Sequence, residues 1–293
     1  MKCNHLTLPS AQSMQIIKSI SSLRETVRHW RVSGETIAFV PTMGNLHDGH
    51  LCLVNNAKKS ADRVVVSIFV NPTQFSPGED FGAYPRTPEN DTAKLEMAGV
   101  DGLFMPSVEA VYPEGSSTFV EVPGISDVLC GKFRPGHFRG VATVVCKLFN
   151  MVQPDVALFG EKDWQQLTVI RRMTEDLNMP VQIIGVPTVR EPSGLAMSSR
   201  NAYMSAEETR QAAIIYQSLL SAESALQAGN RDYTAIEQTQ TEKLSGEGFR
   251  VDYFAIRRAN DLSEPASDER NFVILVAAKL GRARLIDNIR LNL

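Results

Sequence analysis

The sequence has few cysteines and no long apolar run, and each shortage excludes a class of protein. Its four cysteines, Cys3, Cys52, Cys130 and Cys146, lie far apart without a CxxC pair, which argues against a zinc knuckle and favours a reducing compartment. The longest apolar run, Phe272 to Ala278, is too short to span a bilayer, and the N-terminus lacks the apolar stretch of a signal peptide. We therefore expect a cytoplasmic protein with no membrane partner.

An excess of charge of one sign is also lacking. The formal net charge is −3, so no global basic field is available to hold a nucleic acid, and we expect no nucleic-acid partner. The length of 293 residues favours two domains over one. A change in the order of predicted elements places the boundary after residue 187, giving domains of residues 1–187 and 188–293.

The first domain alternates short apolar runs with helical patterns. Several of the runs lack polar alternation, as expected for strands covered on both faces. The predicted strands are Thr36–Val40, Arg63–Val70, Val100–Met105, Asp155–Phe159 and Val181–Val186. The predicted helices are one from near Ser22, with Glu25 in a capping box, to before Gly34, and then Gly49–Ser60, Pro88–Ala98, Gly136–Met151 and Asp163–Leu177. The alternation predicts an α/β fold with a Rossmann-like, mainly parallel sheet.

The second domain has helices first and strands afterwards. Ser205 and Glu208 predict a capping box at the start of a helix that runs towards Gly229. A helix over Tyr233–Ser245 and strands over Arg250–Arg257, Asn271–Ala278 and, briefly, Arg284–Asp287 follow. This order predicts a smaller α+β domain.

The strongest functional signal is the segment Val40–His50, VPTMGNLHDGH. A predicted strand ends, Gly44 turns the chain, and HDGH begins a helix on which His47 and His50 would share one face. The free N–H groups and dipole of a helix N-terminus attract phosphate, and Gly49 allows a ligand to approach the backbone. Two imidazoles there could donate hydrogen bonds to a triphosphate as charge leaves the α-phosphorus.

Two other interpretations of this motif stay open at this point. An isolated HxxH is more often a pair of polar residues at an ordinary helix start. Histidine is also a common zinc ligand, but this motif supplies only two ligands, with no cysteine nearby and no obvious third ligand. The strand, the turn glycine and the HxGH spacing together favour phosphate binding.

Two further motifs offer groups that suit a nucleotide. Met197–Arg200, MSSR, supplies two hydroxyls and a guanidinium in a segment that is typical of a mobile loop, although a surface loop is the more frequent explanation of such a stretch. Gly160–Asp163, GEKD, follows a predicted strand directly, and ligands bind at the carboxyl ends of such strands. Lys162 could bind phosphate and Asp163 a ribose hydroxyl, or Glu161 and Lys162 could be solvated charges.

Three lesser candidates lie near the ends of predicted elements. Gln74 follows the second strand, and its amide can both donate and accept, as a hydroxy-acid substrate requires. The stretch Arg134–Arg139, RPGHFR, is a candidate substrate-facing loop or a basic turn. Glu89 and Asp91 could help to hold magnesium, but carboxylates are common at the start of a helix for electrostatic reasons.

With PTMGNLHDGH, GEKDWQQL and MSSRN in this order, the sequence resembles the pantoate–β-alanine ligase (pantothenate synthetase) family. The likeness covers nearly the whole chain and includes YPRT at Tyr84–Thr87, RPGHFRGV at Arg134–Val141 and RARLIDNI at Arg282–Ile289. The resemblance implies the fold of the nucleotidyl-transfer superfamily that carries the HIGH motif. It also implies ATP-dependent condensation of (R)-pantoate with β-alanine to pantothenate, AMP and pyrophosphate, through a pantoyl-adenylate, with magnesium required and a cytosolic homodimer.

The resemblance further implies a set of site residues. The nucleotide would contact Met43, Gly44, Asn45, Leu46, His47, Asp48, Gly49, His50, Gly160, Glu161, Lys162, Asp163, Val189, Met197, Ser198, Ser199 and Arg200. Gln74 and Gln166 would hold pantoate, with Gln74 also near β-alanine. His50 would be the catalytic acid.

Asp91 is the candidate magnesium ligand, beside Asn90 where close relatives often have an additional carboxylate. For the mechanism we expect His47, His50, Lys162 and Arg200 to stabilise the leaving pyrophosphate. Two alternatives are an adenylyltransferase with the same HxGH motif and a catalytically silent nucleotide-binding regulator. The intact His47, His50, Lys162 and Arg200 argue against the second.

Overall fold

The computed structural model describes residues 13–76, 78–79 and 81–293, so Cys3 lies outside the described residues. The first part of the chain alternates strands and helices, as the sequence predicts. The elements are β1 (Gln15–Ile17), α1 (Ile20–Val32), β2 (Ile37–Thr42), α2 (Asp48–Ser60), β3 (Arg63–Ile68), α3 (Pro88–Met97), β4 (Gly102–Phe104), α4 (Val108–Val111), α5 (Cys130–Phe133), α6 (His137–Val152), β5 (Val156–Gly160), α7 (Trp164–Asp176) and β6 (Gln182–Val186).

The six strands form one sheet in the order β1-β4-β3-β2-β5-β6, and every neighbouring pair is parallel. Successive residues of β2 face opposite sides: Phe39 packs into one apolar cluster, and Ala38 and Val40 pack into another. Both faces are therefore covered, which explains why the strand sequences lack polar alternation. The predicted Rossmann-like α/β fold is confirmed.

The connection between β4 and β5 determines where a ligand can bind. Strands β3 and β4 are added on one side of β2, and the chain then crosses over so that β5 pairs with the other side of β2. In an open parallel sheet, the crevice at such a reversal lies at the carboxyl ends of the two strands. The segments that follow β2 and β5, which carry HDGH and GEKD, therefore meet at one edge of the sheet.

The second part of the chain contains α8 (Ala206–Ala212), α9 (Ile214–Gln227), α10 (Tyr233–Gly246), β7 (Arg250–Arg258), β8 (Asn271–Leu280) and β9 (Ala283–Asn292). The three strands form an antiparallel sheet in the order β7-β8-β9. The prediction of a short last strand was wrong, because β9 pairs with β8 along all ten of its residues. The polar residues of β9 obscured its strand pattern in the sequence, and in the structure several of them pair with specific side chains elsewhere in the chain.

The helix caps correct two further predictions and confirm one. Helix α1 begins earlier than expected, because the Ser19 side chain, and not Ser22, accepts the N-terminal hydrogen bond, from the Ser22 N–H. The capping box of Ser205 and Glu208 is present, with each side chain accepting from the other's backbone N–H. The single helix predicted towards Gly229 is divided in two at Ala213.

The two sheets share part of one apolar core. Val273 and Leu275 of β8 belong to the same buried cluster as Phe149 of α6. The indole N–H of Trp164, at the start of α7, donates to the carbonyl of Ala259, with 3.0 Å between N and O. The parallel sheet lies within residues 15–186 and the antiparallel sheet within 250–292, while the division after residue 187 stays a prediction. Among the described residues, none of the helices is both long and apolar enough to span a bilayer.

Candidate active site

A cavity of about 570 Å³ opens at the crevice predicted by the sheet topology. Met43 and His47, after β2, line one wall, and Gly160 and Lys162, at the end of β5, line the next. The opposite wall comes from the second part of the chain, where Asp287 of β9 faces the same space. The cavity therefore lies between the two sheets, where both parts of the chain supply side chains.

The two histidines of HDGH cap helix α2 with their rings. His47 is the N-cap residue in extended conformation rather than a residue of the helix, so the predicted shared helix face is replaced by a cap. The His47 Nδ1 accepts from the Gly49 N–H at 3.2 Å, and the His50 Nδ1 accepts from the His47 N–H at 3.3 Å. In the neutral tautomer that fits these bonds, each ring carries its proton on Nε2 and can donate from it.

Both imidazoles are neutral over the physiological range of pH. Burial, followed by the charge of Lys162, lowers the pKa of His47 to about 4. Burial, followed by the neighbouring His47, lowers the pKa of His50 to about 3. The ring centroids are 4.1 Å apart, so a second positive charge there would be costly. The pair can thus donate hydrogen bonds to an anion without gaining or losing a proton.

The turn before these histidines has an unusual backbone. Gly44 has φ of 82° and Asn45 has φ of 50°, and the second value is uncommon for a residue with a Cβ. Asp91, in the first turn of α3, accepts from the backbone N–H groups of Asn45 and Leu46, each at 2.8 Å. Lys94 donates to the carbonyl of Leu46. Helix α3 therefore holds the turn from outside the cavity.

The MSSR segment contacts the turn that precedes HDGH. The Ser199 hydroxyl donates to the carbonyl of Asn45 at 3.2 Å, although the two residues are 154 positions apart in the chain. Ser198 caps a short 3-10 helix, Ser199–Tyr203, by accepting from the N–H of Arg200. The Arg200 guanidinium lies 5.9 Å from the ring centroid of Tyr84. The serine–arginine segment and the paired imidazoles therefore line a single cavity.

The GEKD segment forms a 3-10 helix, Glu161–Asp163, that the last strand holds in place. The Asn288 side-chain amide of β9 donates to the carbonyls of Glu161 and Lys162, at 2.9 and 2.8 Å. The Glu161 carboxylate lies 3.4 Å from Arg290 and does not line the cavity. Lys162 does line it, close enough to the two imidazoles to lower the pKa of both.

Gln74 and Gln166 line the same cavity as the histidines, and a buried asparagine orients Gln74. The Asn71 side chain donates to the Gln74 side-chain oxygen and to the carbonyl of Gly140, each at 3.1 Å. A Cβ at Gly140 would lie 2.3 Å from the carbonyl oxygen of Thr73, so only glycine allows α6 to approach this turn so closely. Gln166, on α7, lines the same cavity.

Sequence reasoning named RPGHFR as a candidate but missed the half-buried ionic cluster that it forms with Glu79 beside Gln74. The Arg134 guanidinium makes two hydrogen bonds with Glu79, at 2.6 and 2.7 Å. The His137 Nδ1 donates to the backbone carbonyl of Gln74 at 2.8 Å, and its Nε2 accepts from Arg134 at 3.0 Å in the tautomer that fits both contacts. Burial, followed by the charge of Arg134, lowers the pKa of His137 to about 4. The RPGHFR pattern was the available signal, because the cluster uses its first arginine and its histidine.

Three cations of the C-terminal sheet also line the cavity and were not predicted. Lys279, Arg282 and Arg284 lie around the turn that joins β8 to β9. Arg284 is fixed by Asp252 at 2.8 Å. The signal in the sequence was the alternation of basic and apolar residues in RARLID, which is typical of a strand with one polar face.

Most of the predicted site residues line the cavity, and six do not. Those that line it are Met43, His47, Gly49, His50, Gln74, Gly160, Lys162, Asp163, Gln166, Val189, Met197, Ser198, Ser199 and Arg200. The six that do not are Gly44, Asn45, Leu46, Asp48, Glu161 and Asp91. Leu46 packs in the apolar core and Asp48 is exposed, whereas Gly44 and Asn45 form the turn.

The described residues do not fit a magnesium ion held by protein carboxylates. Within the ranges that the structure describes, no group of three or more His, Cys, Asp or Glu side chains is placed to hold a metal. Both oxygens of Asp91, the candidate ligand, already accept hydrogen bonds from the backbone. The direct role of Asp91 at a metal therefore stays a prediction that this geometry does not support.

Comparison with known proteins places this geometry in a family. A family model described as pantoate-beta-alanine ligase matches residues 15–290. The pantothenate synthetase of Methylococcus capsulatus is 60% identical over 282 residues, covering 96% of this chain and 99% of that protein. The pantothenate synthetase of Shewanella halifaxensis is 58% identical over 273 residues, covering 92% of this chain and 96% of that protein.

Solved structures agree with these relatives. The pantothenate synthetase of Thermus thermophilus superposes with a TM-score of 0.89 at 46% identity, covering 94% of this chain and 99% of that chain. The pantoate-beta-alanine ligase of Francisella tularensis, solved in complex with beta-gamma ATP and beta-alanine, has a TM-score of 0.80 at 36% identity, covering 94% and 97% of the two chains. Since both the sequence and the fold match over nearly the whole length, the chain belongs to the pantoate–β-alanine ligase family.

Proposed function

We propose that the chain condenses (R)-pantoate with β-alanine at the expense of ATP, giving pantothenate, AMP and pyrophosphate through a pantoyl-adenylate. The observation that carries the proposal is the contact between Ser199 and Asn45, which brings MSSR and HDGH to one cavity. Family membership and the ATP and β-alanine that the Francisella tularensis relative binds support the same conclusion.

In the first half-reaction, a carboxylate oxygen of pantoate attacks the α-phosphorus of ATP. The new bond joins that oxygen to phosphorus, and the bond to the β-phosphate bridging oxygen breaks, so that pyrophosphate leaves with the electron pair. Gln74 and Gln166 offer amide donors and acceptors for the hydroxyl and carboxylate groups of pantoate. Their task is to hold the attacking oxygen in line, which supplies much of the rate through orientation.

Charge that develops on the phosphates meets fixed donors. The Nε2–H groups of His47 and His50 and the cations of Lys162 and Arg200 line the cavity. Because both imidazoles are neutral, they act as hydrogen-bond donors, and the α2 N-terminus behind them adds the positive end of the helix dipole. Donors that are already oriented stabilise the transition state without reorganising during the reaction.

In the second half-reaction, the amine of β-alanine attacks the carbonyl carbon of the adenylate, an amide bond forms, and AMP leaves. The attacking amine must carry a lone pair. His137 is not a base for it, because Nδ1 bonds to the Gln74 carbonyl and Nε2 to Arg134. We propose that β-alanine reacts in its neutral form and that the proton displaced on amide formation passes to water.

Three further expectations belong to this proposal. Magnesium would be held by the triphosphate oxygens and by water, its usual arrangement with nucleotides, and no step above is routed through it. The homodimer is expected from the resemblance alone, and light scattering measures it. The cytoplasmic location also stays a prediction; the described cysteines, Cys52, Cys130 and Cys146, have free thiols.

The test is an assay of AMP and pyrophosphate release with pantoate and β-alanine together and with each omitted. We expect AMP release to need both substrates, and pyrophosphate release in a single turnover to need pantoate alone. An adenylyltransferase would pass AMP to a phosphate acceptor, so it would release pyrophosphate over many turnovers without an amine and would release no AMP. A silent regulator would bind ATP and form neither product, and either result would overturn the proposal.

A further inference from the structure

The carboxylate of Asp91 is committed to the backbone of the phosphate-facing turn. The residue is only 1% exposed. Its Oδ2 accepts from the N–H of Asn45 and its Oδ1 from the N–H of Leu46, each at 2.8 Å. These are short, charge-assisted hydrogen bonds to two consecutive amides. The side chain therefore fixes the direction of two peptide planes.

Lys94, three residues further along α3, also holds the turn, and we call these two side chains, Asp91 and Lys94, the clamp. Its ammonium donates to the carbonyl of Leu46, so that one helix holds both a donor and an acceptor of the same residue. Gly44 lies against the carboxylate, because a Cβ there would be 3.1 Å from the Asp91 Oδ2. The contacts of α3 thus enclose the turn from Gly44 to Leu46 on the side away from the cavity.

The turn needs such support because its backbone is strained. Asn45 has φ of 50°, a left-handed conformation that is unfavourable for a residue with a Cβ, although asparagine tolerates it better than most residues. What the turn presents depends on this conformation. The carbonyl of Asn45 accepts from Ser199, and the next residue but one, His47, is the N-cap of α2.

The same geometry argues against Asp91 as a magnesium ligand. Magnesium needs oxygens at 2.0–2.1 Å in an octahedron and keeps several waters, but Asp91 does not line the cavity. The ammonium of Lys94, close by, would repel a divalent cation. Glu89 and Asn90, the neighbouring positions, are exposed on the outer surface. A metal-binding role would require the clamp to open.

We propose that Asp91 is a positioning residue that, with Lys94, presets the turn before HDGH for the nucleotide and does not bind the nucleotide's magnesium. The inference rests on the proposed function for its meaning in catalysis, but its central claim concerns ATP binding alone. If only a fraction of molecules holds the turn in the binding conformation, the apparent affinity for nucleotide equals the intrinsic affinity multiplied by that fraction.

The experiment compares the Asp91→Asn variant with the native protein by titration calorimetry, with a non-hydrolysable ATP analogue, in EDTA and again in excess magnesium. We expect the dissociation constant to rise about tenfold or more in both conditions and by the same factor, since a hydrogen bond to a charged group is lost. The magnesium concentration that half-activates product formation should stay unchanged. An effect confined to the magnesium titration, or a large rise in that half-activating concentration, would overturn the proposal.

Two controls keep the outcome interpretable. Glu89→Gln removes an exposed carboxylate from the same turn of α3 and should change neither dissociation constant. Lys94→Met removes the other half of the clamp, and the charge that helps to lower the pKa of His47 and His50 should go with it. We expect the C2–H resonances of both rings to titrate at higher pH in that variant.

A direct measurement covers the case in which Asp91→Asn fails to fold. Manganese, used as a paramagnetic probe for the magnesium site, should not bind the native, nucleotide-free protein near Asp91. Broadening of the Asn45 and Leu46 amide resonances by stoichiometric manganese would refute the inference. If ATP binds but pantoate does not promote pyrophosphate release, the proposed function is wrong. The binding data still test the positioning role of Asp91 independently.

Discussion

The two segments that face the proposed phosphates are held in very different ways. The turn from Gly44 to Leu46, followed by His47, is fixed by a buried carboxylate, a lysine and the start of a helix. The MSSR segment is half-buried, and the hydroxyl of Ser199 links it to that turn by donating to the carbonyl of Asn45. The first segment is oriented before a ligand arrives, and we expect the second, which ends in a short 3-10 helix, to adjust to the ligand.

The difference indicates the step of the reaction to which each segment contributes. Fixed donors stabilise developing charge best when they need not move during the reaction. An adjustable segment suits the exclusion of water from a reactive acyl-adenylate. We therefore expect changes in the first segment to slow adenylate formation and changes in the second to affect how well the adenylate is protected.

The largest expected effect comes from the fixed segment. His50→Ala removes an oriented donor and should lower the rate of adenylate formation by about 10²–10³-fold. Rapid-quench measurement of pyrophosphate in a single turnover checks this. His29→Ala, at an exposed position on α1, is the matched control and should keep the native rate. If His50→Ala kept a near-native burst of pyrophosphate, the fixed segment would not have the special role in adenylate formation that separates it from MSSR.

The pH dependence of kcat/KM tests whether the imidazoles of His47 and His50 stay neutral during the reaction. Since the pKa values of His47 and His50 lie at about 4 and about 3, neither ring should titrate between pH 6 and 9. The neutral fraction of an amine with a pKa near 10 grows about tenfold per pH unit. We expect kcat/KM for β-alanine to rise about 100-fold from pH 7 to 9 with no inflection near 6.5. An inflection at that pH would show that a histidine changes charge in the reaction.

The adjustable segment should show a smaller effect of a different kind. Ser199→Ala breaks the hydrogen bond to Asn45, which is worth about 0.5–1.5 kcal/mol, or about 3- to 10-fold. We expect the adenylate to hydrolyse faster, so that pyrophosphate release exceeds pantothenate formation. Ser193→Ala, in the same part of the chain but outside the cavity lining, is the control. An equal loss in both half-reactions would contradict the assignment of separate tasks.

The smallest expected effect concerns stability at low pH. The folded-state pKa of His50 is below its ordinary value of 6.5, so the unfolded chain binds a proton first and stability falls as the pH drops below 6.5. Between pH 7 and 5.5 the loss is about 1 kcal/mol for this residue, or a few degrees of melting temperature. His50→Asn, which keeps an acceptor near the position of Nδ1, should flatten that decline. Calorimetry at the two pH values gives the comparison.

The sequence predicted the parts of the fold that depend on local pattern. Apolar runs without alternation identified five of the six strands of the parallel sheet, but the three-residue strand β1 was missed. The positions of HDGH and GEKD directly after predicted strands indicated a ligand site at the carboxyl ends of the strands. The Ser205–Glu208 capping box was predicted because its residues are close in the chain. Such features depend on neighbours within about one or two helical turns.

What the sequence could not predict depends on partners that are distant in the chain. Asp91 had the pattern of a metal ligand or a helix-start carboxylate, and only the fold places it under the amides of Asn45 and Leu46. The full length of β9 was hidden because its polar residues have remote partners, such as Arg190 for Asp287 and Asp252 for Arg284. Burial and long-range pairing determine these roles, and neither has a local signature.

The apolar core that both sheets share has a consequence for how the chain can be divided. Val273 and Leu275 would lose their cover if the gene were cut after codon 187, and the other fragment would keep Phe149 and Trp164 with their surroundings exposed to water. We therefore expect residues 1–187 and residues 188–293 to be less stable when they are expressed separately than within the whole chain.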